Sequence, residues 1–186
     1  MTENGAGAAD ANAANAADAA NAATAADAQL PALPDGVHFS PASAAHVDEI
    51  VRHNRAMAKE TEGIDLPEAK LHPGVKAAVV DGMARYFVLH EPATGRVLAQ
   101  TMITLEWSDW RNAQCWWIQS VYVPEDWRRK GLWRALYARV RRAARAEGAC
   151  GLRLYAERGN ARAQASYRSL GMGSHYVVFE EMFTGY

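Results

Sequence analysis

Pro124-Glu125-Asp126-Trp127-Arg128-Arg129-Lys130-Gly131-Leu132-Trp133-Arg134 joins an apolar, β-branched run ending at Val123 to a long stretch of helical periodicity. A helix that begins inside such a turn presents unpaired backbone N–H groups and the positive end of its dipole, a ready place for a phosphate. Gly131 lets the backbone approach a ligand closely, and Arg128, Arg129 and Lys130 surround it with positive charge. Basic residues in this position oppose the helix dipole unless an anion lies nearby, so the turn reads as an anion site rather than a plain helix start. A second segment, Asn160-Ala161-Arg162-Ala163-Gln164-Ala165-Ser166-Tyr167-Arg168-Ser169-Leu170-Gly171-Met172, places Asn160 at a helix start and Tyr167 two turns along.

The elements that must hold these groups follow from periodicity. Val37 to Ser40 reads as a short strand; Pro41 and Ser43 open a helix with Ala45, Val47, Ile50, Val51 and Met57 on one face, ending near Gly63. Pro67 to Leu71 and Gly74 to Val80 read as two short helical stretches around His72 and Pro73. Arg85 to His90 and Arg96 to Trp107 form a hairpin across Glu91-Pro92-Ala93-Thr94-Gly95, and a second turn at Ser108 to Asn112 leads into Cys115 to Val123. Gly131 to Glu147 is a helix that Gly148 ends, Gly151 to Ala156 a strand, Ala161 to Leu170 a helix and Tyr176 to Phe183 a closing strand. An antiparallel meander followed by β-α-β-α-β predicts an α/β (α+β) domain with a mixed, twisted sheet and helices on both sides.

The 186 residues suit one core, and 49% hydrophobic with 22% charged residues is the balance of a soluble domain. Residues 1–35 repeat Ala with Asn and Asp and cannot bury enough surface to offset their ordering entropy; they are expected to be a disordered tail, with the domain over 36–186. No apolar run spans a bilayer and no signal or transit pattern opens the chain, so a cytoplasmic location is expected, with no membrane partner. Cys115 and Cys150 read as two buried thiols in a reducing compartment, and no metal set is expected. The first thirty residues hold four of the 21 acidic residues and no base, leaving 17 acids against 20 bases in the remainder.

The order and spacing resemble the GNAT superfamily of N-acetyltransferases: a strand, [Q/R]-x-x-G-x-[G/A] at Arg128 to Trp133, another strand, then N-x-x-A-x-x-x-Y-x-x-x-G-[F/M] from Asn160 to Met172. The resemblance spans roughly Val37 to Phe183. It implies a GNAT-like fold and acetyl-CoA as co-substrate, with the pantetheine arm bonded by the backbones of Val121 and Val123 where two strands splay. It further implies a pyrophosphate cradle at Arg128, Arg129, Lys130, Gly131, Trp133 and Arg134, a pantetheine contact from Asn160, and protonation of the departing thiolate by Tyr167. Trp133 stands where the family has Gly or Ala, so its indole must point away from the pyrophosphate or close over the cofactor.

An attacking amine must also lose a proton. Trp117 occupies the position of the glutamate some members use, which leaves Glu106 as first choice of base, with Asp109, Glu60, Glu62 or a water held by Gln119 or Ser120 as alternatives. Four of the six tryptophans cluster around one hairpin with carboxylates beside them, a setting for a cationic amine. The acceptor side is therefore expected at Trp107 and Asp109, and at Glu60 and Glu62 after the first helix; core filling or a homodimer interface would use the same tryptophans. Two other functions compete. One is a non-catalytic acyl-CoA sensor on the same fold. The other is a nucleic-acid module using the basic residues between Arg129 and Arg145; the aromatic residues fall on a different hairpin, so no nucleic-acid partner is expected.

Overall fold

The computed structural model describes residues 30–185, so the expectation of a disordered tail over 1–35 falls almost wholly outside the described residues. From Leu33 onward the chain forms a five-stranded sheet in sequential order: β1 (His38–Pro41), β2 (Arg85–Glu91), β3 (Arg96–Ser108), β4 (Ala113–Tyr122) and β5 (Gly151–Leu154). The first four strands pair antiparallel and β5 pairs parallel to β4. Four α-helices accompany them: α1 (Val47–Glu62), α2 (Glu68–Val79), α3 (Leu132–Ala146) and α4 (Ala161–Ser169). A parallel neighbour requires a crossover connection, and α3 supplies it between β4 and β5.

Strand alternation builds two cores. Phe87, Leu89, Ile103, Trp116 and Ile118 point to one face and meet Leu132, Leu136 and Val140 of α3. Tyr86, Val88 and Val97 point to the other and meet Ile50 and Val51 of α1 and Val75 of α2. Gly63 ends α1 in the left-handed region at φ 71°, which a glycine reaches without a Cβ penalty.

Three expectations are corrected. Helix α2 runs unbroken through Pro73, the sixth of its twelve residues, where the two stretches were expected to be separate; a proline so near the start removes a single helical bond. Cys115 and Cys150 are joined in a disulfide rather than being free thiols. The parallel register sets Cys115 opposite Gly151, and the Cys150 N–H donates to the Gln114 carbonyl, bringing the two Cα atoms to 5.2 Å. The ground for a reducing compartment therefore falls away. Finally, Tyr176 to Phe183 is not a strand: the segment forms no ladder, and Phe179 is 91% exposed.

Candidate functional site

Strands β4 and β5 pair only from Cys115–Gly151 to Ile118–Leu154, while β4 continues to Tyr122. The last residues of β4 thus have no partner on that side. In the same stretch β4 carries a bulge against β3: Met102 faces Ser120 but Ile103 faces Ile118, so Gln119 is the extra residue. Bulge and splay together open a groove of about 430 Å³ bordered by Val121, Val123, Gly131, Trp133, Asn160 and Tyr167.

The turn after β4 shapes the mouth of this groove. A short 3-10 turn (Glu125–Trp127) precedes Arg129 at φ 62° and Gly131 at φ 78°. Left-handed residues on either side of Lys130 bend the backbone in the manner of anion-binding nests, directly before the N-terminus of α3. Gly131 is required for its φ, since a Cβ there would meet nothing within 4 Å. Arg134 lines the groove, and Lys130 lies over the Trp127 ring with its ammonium 4.4 Å from the centroid.

Arg128 is held from three directions. Its Nε donates to the Val123 carbonyl at 2.8 Å, its two terminal nitrogens donate to Glu60 at 2.6 and 2.5 Å, and its guanidinium stands over the Tyr122 ring. The bidentate pair pins the last turn of α1 across the groove from the turn. Arg128 holds the Glu60 carboxyl below the usual carboxylate range, and Glu60 raises the Arg128 guanidinium in return.

On the opposite wall Asn160 caps α4, its Oδ1 accepting from the Ala163 N–H at 3.0 Å. Tyr167 projects from the same helix, and burial pushes its phenol up, favouring the protonated form. Trp133 settles its own question of placement: the indole stands in the groove wall between Tyr137 and Tyr167, at 5.6 and 6.2 Å between ring centroids.

Of the expected site residues, the groove collects Val121, Val123, Arg128, Arg129, Gly131, Trp133, Arg134, Asn160, Tyr167 and Glu60. It does not collect Lys130, whose ammonium lies over Trp127, nor Glu62, which is exposed at the end of α1, nor Glu106, Trp107 and Asp109. The register gives the reason. Val121 lies opposite Thr101 and Trp107 opposite Gln114, so six residues of β3, roughly 20 Å, separate them. Adjacent strand residues also face opposite ways, which divides Glu106 from Trp107. Glu106 accepts from the Trp117 indole and from Arg153 at 2.5 Å. Asp109 caps its own turn through the Trp110 N–H, and Trp107 is exposed. Of the expected acceptor residues Glu60, Glu62, Trp107 and Asp109, only Glu60 therefore lines the groove.

Met57, Thr61, Tyr122 and Arg162 also line the groove and were not foreseen. Met57 and Thr61 share the helical face of Glu60, one turn apart, a signal that names them once Glu60 is placed. Behind Tyr122 lies a buried polar chain. The Gln100 amide nitrogen donates to Asn54 Oδ1 at 2.8 Å while the Gln100 oxygen accepts from His53 Nδ1 at 2.9 Å, and the Asn54 amide nitrogen donates to the Tyr86 hydroxyl. Burial lowers His53 to about 4, so it is neutral. Among the described residues no helix is long and apolar enough to cross a membrane, and no cluster of three His, Cys, Asp or Glu is placed to hold a metal.

The family model of the Acetyltransferase (GNAT) family matches residues 50–172. A structure from Clostridium difficile 630, described as a possible acetyltransferase, is 38% identical over 81% of this chain and all of its own, with a TM-score of 0.73. A ribosomal-protein-alanine N-acetyltransferase from Brucella melitensis shares the fold at 15% identity and TM-score 0.64, covering 79% of this chain and 99% of that one. So does an aminoglycoside acetyltransferase from an uncultured soil sample, at 12% identity and TM-score 0.66, covering 83% and 100%. No curated protein matches the chain.

Proposed function

The chain belongs to the GNAT acetyltransferase family, and on that premise we propose that it moves an acetyl group from acetyl-CoA to a primary amine by direct attack in a ternary complex. One observation carries the proposal: the splayed end of β4, the nested turn before α3 and Tyr167 converge on a single groove. An extended arm with backbone-bonding amides suits the unpaired edge at Val121 and Val123, and a pyrophosphate suits the turn from Arg128 to Arg134.

In the reaction the amine nitrogen bonds to the thioester carbonyl carbon and the carbon–sulfur bond breaks. The amine gives up a proton, and the leaving sulfur takes one from the Tyr167 hydroxyl, which burial keeps protonated. Arg128 holds the Glu60 carboxyl below the usual carboxylate range, which weakens it as a base, and Glu106 lies outside the groove, tied to Arg153 and the Trp117 indole. We therefore assign the base to a water held by Gln119 or Ser120 at the bulge. The acceptor enters from the α1 side, between Met57, Thr61 and Tyr122, where a cationic amine meets Glu60 and an aromatic face.

Thiol release from acetyl-CoA, measured against a panel of polyamines, amino acids, amino sugars and peptides, tests the reading. Turnover with one member supports transfer and identifies the acceptor class. Calorimetric binding of acetyl-CoA without release for any amine would instead favour a sensor.

A further inference from the structure

One side chain of the groove answers two hydrogen-bonding needs at once. Arg128 Nε donates to the Val123 carbonyl at 2.8 Å, and the terminal nitrogens of the same guanidinium donate to Glu60 Oε1 and Oε2 at 2.6 and 2.5 Å. In the first contact an N–H meets a carbonyl at the open end of β4, the bond that an extended arm with amide groups would make there. In the second a carboxylate takes the planar fork of an arginine, the place a phosphate would take. The Arg128 Nε–H and the Glu60 carboxylate thus stand, within the protein, where the two kinds of contact offered by the proposed co-substrate would fall.

Burial sets this pair apart from an ordinary surface bridge. Exposed pairs contribute little, since both side chains move in water, but here the Arg128 side chain is 18% exposed and stands over the Tyr122 ring. Glu60, at 46%, is the partner able to leave. It lies two residues before the end of α1, where Gly63 stops the helix, whereas Arg128 is also anchored through Nε. We propose, resting on the assignment of this groove to acetyl-CoA, that the Glu60–Arg128 pair is an autoinhibitory clasp: an incoming diphosphate displaces the Glu60 carboxylate from the Arg128 fork. Exchange of one anion for another keeps the guanidinium paired throughout. A second cation is at hand for the displaced carboxylate, because Arg162 of α4 lines the same groove and its charge acts on Glu60. A ligand that must open a contact binds more weakly in proportion to the fraction of molecules in which that contact is closed. Removal of the competing carboxylate therefore strengthens binding, the opposite of what loss of a supporting contact does.

Calorimetry of the full chain with acetyl-CoA, and separately with inorganic pyrophosphate, compares the wild type with Glu60→Gln and Glu62→Gln. Both variants lose one negative charge from the end of α1, but Glu62 lies outside the groove. The expected result is acetyl-CoA binding about tenfold tighter to Glu60→Gln and changed less than about twofold by Glu62→Gln, with pyrophosphate following the same order. Hydrogen exchange on the wild type needs no substitution. The amides of Gly63 and Ile64 bond to the Lys59 and Ala58 carbonyls at the end of α1, and acetyl-CoA should speed their exchange as Glu60 lets go. Equal or weaker binding by Glu60→Gln overturns the clasp and makes the pair a support for the turn. An equal gain in both variants also overturns it, as a plain effect of net charge, and so does slower exchange at Gly63 and Ile64. Failure of acetyl-CoA to bind any of the three proteins is a different result, which removes the assignment of the groove and the clasp with it.

Discussion

At the scale of residues, two side chains carry the sharpest consequences. Replacing Tyr167 by Phe removes a hydroxyl and keeps the ring that packs against Trp133. We expect kcat to fall about a hundredfold while acetyl-CoA affinity by calorimetry changes less than about twofold, the pattern of a lost proton donor. His53 bears on stability. Its folded-state pKa is lowered from 6.5 to about 4 by burial, so between those values the unfolded chain binds the extra proton. Stability should therefore be full above pH 6.5 and fall as pH drops toward 4, by up to about 3 kcal/mol. Urea unfolding at a series of pH values measures it, and His53→Asn should flatten the decline. The places of Arg128, Gly131, Asn160 and Tyr167 were legible because each sits at a position that local sequence marks: a turn, a helix start, a helix position. Tyr122 and Arg162 were not, because only packing brings them to the same groove.

Among the elements, the turn before α3 carries the largest share of the proposed cofactor binding in the fewest residues. Gly131 at φ 78° faces open space, so Gly131→Ala meets no clash and costs only the left-handed backbone, about 1–2 kcal/mol. If the turn relaxes to avoid that cost, its N–H groups lose their convergence. We expect acetyl-CoA to bind about tenfold more weakly by calorimetry with little change in secondary structure. Element types followed from periodicity where a strand or helix buries one face, as β3 and α3 do, and failed at Tyr176 to Phe183, where apolar content implied a strand that pairs with nothing. The bulge at Gln119 left no such trace: it is a fact about β4 relative to β3, and a bulge in one strand is defined only by its partner.

For the whole molecule, the Cys115–Cys150 disulfide links strands 35 residues apart in sequence, at the end of the β4–β5 pair opposite to the splay. Closing a loop of that length removes entropy from the unfolded chain worth about 3–4 kcal/mol. Cys115→Ala/Cys150→Ser should lower unfolding free energy by an amount of that order in chemical denaturation, and a reductant should do the same to the wild type and nothing further to the variant. The carboxylates and tryptophans of the β3–β4 hairpin show the converse limit. Glu106, Trp107 and Asp109 are neighbours in sequence, yet pleating and turn geometry send them to different surfaces.

The sequence by itself determined the class of the domain, the turn before α3, the places of Asn160 and Tyr167 on one helix and the meander of β2, β3 and β4, because local chain conformation and hydrophobic period set these. Only the tertiary structure decided that Arg128 clasps Glu60, that Trp133 stands beside Tyr167, that the cysteines meet and that the last apolar segment lies off its own sheet. Each of those joins residues far apart along the chain, and such contacts are set by how whole elements pack rather than by spacing within any one of them.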